Sequence, residues 1–281
     1  MEKYFFTDLA VEKNGNWDIK PISLSESCYL HRNFSLSEEE NKSFTNPRIV
    51  TFFTEKLWAL SGMDFELLRK KIGEELSNLI HMNLPKSKSC PVSIMVVGLG
   101  NRGLTTDALG PETVRNLTVI GRETVNGVRV LAVAPGVFGE TGMETVKILR
   151  GILHESAPDL VIAVDALCAS GSDRLAATVQ LCDGGIVPGA GIGNKRSAFN
   201  RETLGVPVIA LGVPTVIHSA TMIADALRAG GMKDLPDSVR KKLEQQTGCF
   251  VSPKESDLLL RSASLLLASA IDCACMFPSH G

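Results

Sequence analysis

The stretch Val92–Pro111, VSIMVVGLGNRGLTTDALGP, constrains the fold more than any other part of the chain. A short apolar run stops at Gly98, and a polar, glycine-rich segment carrying Asp107 leads to Gly110-Pro111. Asp159–Leu167, DLVIAVDAL, repeats the plan, with Asp165 after the apolar run. Short apolar runs bounded by turn residues, with helical patterns between them, read as strands of a parallel sheet buried on both faces. In open sheets of that kind, reacting groups collect where strands end at the carboxyl edge. Asp107 and Asp165 are therefore candidates for an acid/base pair, although sequence spacing leaves open whether they meet.

The remaining periodicity supports the same class. Phe65, Leu68, Ile72, Leu76, Leu79 and Ile80 recur at three- and four-residue steps, which predicts an amphipathic helix over Met63–Asn83. Strands are expected at Val92–Val97, Val128–Val133, Leu160–Val164, Leu175–Leu181 and Pro207–Leu211. Helices are expected from Gly110-Pro111 to about Val119, from Met143 to about Glu155, over Thr215–Ala229 and over Asp234–Gln246. A last helix is expected over Pro253–Met276 with Ser252 as its N-cap. Strands alternating with helices give an α/β fold, a mainly parallel sheet sandwiched by helices. Residues 1–62 are weakly patterned and read as an irregular appendage or a small strand layer; residues 63–281 read as the α/β domain.

Composition narrows the function. The chain has 281 residues, 44% of them hydrophobic but only 5% aromatic, so its core is expected to be mainly aliphatic. Lys+Arg 29 against Asp+Glu 31 leaves a formal charge of −2, which gives no reason to expect nucleic-acid or membrane binding. The start, MEKYFFTDLAVEKNG, lacks the pattern of a secretory signal, and no uninterrupted apolar run approaches a membrane span. The 7 cysteines are irregularly spaced, with only Cys273 and Cys275 close together. Reduced thiols and a cytoplasmic compartment are the expectation, with no metal site and no cofactor.

Each polar candidate has a plainer reading. Gly98-x-Gly100-x-x-Gly103 matches the dinucleotide spacing, but no helix follows at once, so the glycines are better read as turn formers. Asp107 could cap the helix that Gly110-Pro111 opens. Asp165 could be satisfied by neighbouring amides, since an uncompensated buried carboxylate is costly. As a pair, one aspartate would hold a proton as acid while the other acts as base on a water, and activity would vary across mildly acidic pH. Asp183 precedes Gly184-Gly185 and reads as a turn former. Lys195 and Arg196 end a glycine-rich loop, either as solvated charges or as receivers of an acidic substrate side chain. His218, at the start of an expected helix, is a candidate for pointing into the site.

Taken together, these segments resemble the germination protease family, endopeptidases of bacterial endospores. The resemblance rests on VVGLGNRGLTTDALGP, APGVFGETGMET, PDLVIAVDALCA, GIVPGAGIGNKRSAFNRETLGVPVIALGVPTV and VSPKESD, which occur in the family's order. It implies a peptidase that degrades small acid-soluble spore proteins during germination, acting in the forespore or spore core. It also implies a self-processed zymogen, a homotetramer, and a sheet fold similar to hydrogenase-maturation peptidases. The family's two proposed catalytic aspartates fall on Asp107 and Asp165, and Asn101 and the Lys195-Arg196 pair become candidates for substrate binding. Thr7-Asp8-Leu9-Ala10 resembles the propeptide junction, with cleavage expected between Asp8 and Leu9 and residues 1–62 then propeptide-like.

The stretch between Gly231 and Cys249 and the N-terminal region are shorter than the family pattern. His218 stands where relatives carry an acidic residue, so a metal held by Asp107, Asp165 and His218 is an alternative. A nucleoside phosphorylase-like enzyme and an inactive binding homologue are the other readings kept open.

Overall fold

In the computed structural model, which describes residues 8–9, 22–32, 47–84, 91–121, 127–189, 197–232, 236–244 and 249–276, the chain forms a nine-stranded sheet. Its strands are β1 (Ile22–Ser23), β2 (Tyr29–Arg32), β3 (Ile49–Phe53), β4 (Val92–Gly98), β5 (Val128–Val133), β6 (Leu160–Ala169), β7 (Thr178–Cys182), β8 (Val208–His218) and β9 (Phe250–Val251). They lie in the order β1-β2-β3-β7-β8-β6-β4-β5, with β9 also paired to β8. The central strands β8, β6, β4 and β5 are parallel, as the apolar runs predict. Among the described N-terminal residues, β3 pairs antiparallel with β7 and carries β2 and β1 outward, a small strand layer joined to the main sheet.

The two-residue alternation of the strands sorts side chains onto two faces. Ile94, Val96, Leu160, Ile162 and Val164 turn to one core, with Val179, Leu181, Ile209 and Leu211. Three helices cover that face: α1 (Gly62–Asn83), α2 (Leu109–Asn116) and, last in the chain, the helix over Ser256–Met276. Helix α1 buries Leu68, Ile72, Leu76 and Leu79 and is capped by Ser61, whose side chain accepts the Asp64 N–H. Met95, Val97, Val161 and Ala163 turn to the opposite core, beside Val146, Leu149 and Leu153. After the short α3 (Phe138–Thr141), these last three residues belong to α4 (Thr145–Ser156); α5 (Arg201–Leu204) adds Leu204. Helices α6 (Ser219–Ala229) and α7 (Asp237–Glu244) follow, and Ser256–Met276 is α8.

Helix α8 is long and apolar enough to span a membrane by length and composition, but most of it is buried within the fold. Its Asp272 carboxylate accepts the Thr118 N–H and hydroxyl, at 3.0 and 2.6 Å, fixing it beside the end of α2.

Several boundaries differ from expectation. Strand β6 runs on past Val164 to Ala169, and β8 past Leu211 to His218, because the two pair with each other from Val161↔Val208 to Ala169↔Ile217. The helix expected from Thr215 therefore begins at Ser219. Strand β7 starts at Thr178, after a turn in which Ala176 has φ 58°. Helix α8 starts at Ser256, where its hydroxyl turns back to Pro253 O, so Ser252 does not cap it.

Candidate active site

The glycines after β4 let the backbone crowd together. A Cβ on Gly98 would lie 2.3 Å from Gly110 O, and one on Gly110 would lie 2.3 Å from Leu99 O and 2.5 Å from Val164 O. Gly100 has φ 109°, and a Cβ there would meet Asp107 O at 2.0 Å. The glycine spacing thus serves the close approach of α2 to the ends of β4 and β6. That packing holds the turn Thr105–Asp107 over the carboxyl edge of the sheet. Asp107 does not cap α2, contrary to the plainer reading; its Oδ2 accepts the Asn101 N–H at 2.7 Å. Asn101 in turn spends its side chain on the Gly103 N–H, 2.8 Å away. Asn101 thus closes the turn between β4 and Asp107.

Asp165 lies within β6, four residues before its end, and is buried. Its Oδ1 accepts the Ala166 N–H at 2.9 Å, the local amide contact expected for a buried carboxylate. The register between β6 and β8 shifts just beyond it: Leu167 faces Pro214, but Cys168 faces Val216. Thr215 is the extra residue of this bulge, and bulges re-aim side chains. The buried Thr215 hydroxyl donates to Thr106 O at 2.6 Å, tying β8 to the turn that carries Asp107.

Asp107 and Asp165 line one cavity of about 230 Å³, together with Thr215, Leu167 and Cys168. Leu104 and Phe138 form an exposed apolar lip. Asp8 reaches the same cavity. Its N–H donates to Cys168 O at 3.0 Å, and its carboxylate accepts the Cys168 N–H at 2.9 Å. The next residue, Leu9, is wholly buried against Leu167, Ala169 and Ile186. Lys195 and Arg196, the expected receivers of an acidic side chain, lie outside the described residues. Among the described residues, the Cys168 amide, which sequence reasoning missed, donates to the Asp8 carboxylate; a backbone donor leaves no signal in residue identity.

The other candidates are placed elsewhere. Asp183 sits in the turn after β7 and binds Arg48 through its N–H at 2.7 Å and guanidinium at 3.1 Å. Buried His218 uses Nδ1 to accept the Ala220 N–H at 3.2 Å, capping α6, and its ring meets Phe250 edge-on. Among the described residues, Asp107, Asp165 and His218 do not form a three-ligand cluster, and no other His, Cys, Asp or Glu trio does.

A mainly parallel sheet with carboxylates lining a cavity at its carboxyl edge has the arrangement of an α/β enzyme. The profile of the germination protease family, Peptidase_A25, matches residues 35–229. The germination protease of Clostridium acetobutylicum is 36% identical over 256 residues, covering 80% of this chain and 77% of the relative. That of Caldanaerobacter subterraneus subsp. tengcongensis is 33% identical over 309 residues, covering 95% and 93%. That of Bacillus subtilis reaches 47% over 163 residues, covering 55% of this chain and 43% of the relative. This chain belongs to the germination protease family and is a protease. A hydrogenase maturation protease, HycI from Thermococcus kodakarensis, aligns over 70% of this chain and 98% of its own at 17% identity and TM-score 0.34, a level that transfers no residue roles.

Proposed function

We propose that this protease is an endopeptidase that cuts small acid-soluble spore proteins after an acidic residue during germination. It acts inside the spore core, is made as a zymogen that removes its own N-terminus between Asp8 and Leu9, and assembles as a homotetramer. Asp107 and Asp165 form an atypical aspartic pair: one takes a proton from water, the other donates to the peptide. The observation that carries this reading is the shared cavity, which is lined by both aspartates and by Asp8 of the chain's own junction. A neighbouring Asp8–Leu9 bond is held by effective concentration, so self-processing needs no second molecule.

The test is mass spectrometry and N-terminal sequencing after mildly acidic incubation, comparing the unaltered protein with Asp107→Asn and Asp165→Asn. The unaltered chain is expected to acquire Leu9 as its new N-terminus, while each variant stays intact and loses at least about 10³-fold in peptide hydrolysis. Processing by both variants at the parent rate refutes the aspartic pair. Sedimentation of the purified protein checks the tetramer.

A further inference from the structure

Gln180 shares a cross-strand row with Asp165. Asp165 pairs with Gly212 of β8, and Gly212 pairs on its other side with Gln180 of β7. Directly opposed residues project to the same face, and Val179 and Leu181, on either side of Gln180, turn the other way, into the core of Ile94, Val96 and Ile162. Neighbouring strands lie about 4.8 Å apart, so Asp165 and Gln180 flank a gap about 10 Å wide. The floor of that gap is glycine. A Cβ on Gly212 would lie 2.6 Å from Asp165 O and 2.7 Å from the Leu167 side chain.

Asp8 meets this row at Gln180. It lines the cavity that holds the two aspartates and also a second cavity, of about 280 Å³, bordered by Gln180 and Gly212. The buried Gln180 side chain donates through Nε2 to the Asp8 carbonyl oxygen at 3.4 Å. That oxygen belongs to the peptide bond between Asp8 and Leu9.

We propose that Gln180 is a catalytic residue, its amide donating to the carbonyl oxygen of the peptide bond under attack and stabilising the oxyanion that forms there. This rests on the reading that the site hydrolyses the Asp8–Leu9 bond and substrate bonds like it. Water oxygen bonds to the carbonyl carbon, the π pair moves onto the carbonyl oxygen, and the aspartate pair takes the water proton. Collapse restores the C=O, breaks the C–N bond and delivers a proton from the pair to the Leu9 nitrogen. A donor that is long in the ground state and tightens as the oxygen gains charge lowers the barrier rather than merely binding substrate. A neutral amide suits this position because it exchanges no proton with the two carboxylates.

The experiment measures kcat and KM on a peptide carrying the Thr7–Ala10 sequence, for Gln180→Leu, which keeps bulk without a donor, and Gln180→Glu, which keeps the shape. Self-processing is followed in parallel by intact mass. The expected result is a fall in kcat of about 10²-fold or more in both variants, with KM within about threefold of the parent. Parent-like kcat, or a loss confined to KM, overturns the proposal. Melting curves report folding; if the leucine variant does not fold, the isosteric glutamate variant decides. Asp107→Asn and Asp165→Asn run alongside. If they retain activity, the aspartic reading fails; if they are inactive while the Gln180 variants keep full kcat, this inference alone fails.

Discussion

At the scale of single residues, the site depends on short side chains that hold others in place. Thr215 is the clearest case, because the bulge of β8 aims its hydroxyl at Thr106 O, next to Asp107. Thr215→Val keeps the volume but strands a part-buried carbonyl, at a cost of no more than about 1–3 kcal/mol. The expected outcome is a melting temperature several degrees lower and kcat reduced about tenfold, with Thr215→Ser restoring most of both. Steady-state kinetics on the two variants checks it, and an unchanged kcat for Thr215→Val would remove Thr215 from the positioning of Asp107. Asp107 and Asp165 were legible in the sequence as candidates, since a carboxylate beside an apolar run needs a reason. Thr215 was not legible, because a threonine after Gly-Val-Pro looks like a helix start until the β6 pairing is known.

At the scale of elements, helix α1 offers a pH test that does not involve the site. Hydrogen bonds from the Ser61 and Ser25 hydroxyls, in that order, hold the Asp64 carboxyl below the usual carboxylate range at the helix N-terminus. A carboxyl depressed in the folded state stabilises above its unfolded pKa, and that contribution disappears as pH falls through the folded value. Asp64→Asn should therefore melt below the parent at pH 6, with the difference shrinking as the solution is taken below about pH 4. Thermal melts across that range check the sign, and a difference that grows in acid would contradict it. Periodicity located α1 almost to the residue because its stripe is local to the helix. The ends of β6 and β8 escaped it because they exist only through mutual pairing, including a Pro214 that by itself argues against a strand interior.

At the scale of the molecule, two cores on opposite faces of one sheet fix the strands whose carboxyl ends line the cavity. The C-terminal helix belongs to the first, and burial pushes the Cys275 thiol on it up to about 12, with Asp272 adding to the shift. Cys249, by contrast, is exposed. A thiol reagent at pH 8 should modify Cys249 rapidly and leave Cys275 unmodified until the protein unfolds. Peptide mapping of the labelled protein measures this, and prompt native-state labelling of Cys275 would mean that α8 is not packed as described. The N-terminal strands join the same sheet through β3, and the Arg32 guanidinium binds the buried Glu75 carboxylate of α1. This long-range tie was invisible in a weakly patterned segment.

The sequence by itself determined the class of fold, the parallel centre of the sheet, the main helices and the aspartates at its carboxyl edge. All of these follow from local periodicity and from the cost of burying charge. Only the tertiary structure decided that Asp8 meets the Cys168 backbone and the Gln180 side chain, in a cavity that Asp107 and Asp165 also line. That arrangement depends on which residues face one another across strands distant in the chain, and a side chain's own neighbours in sequence carry no information about strand register.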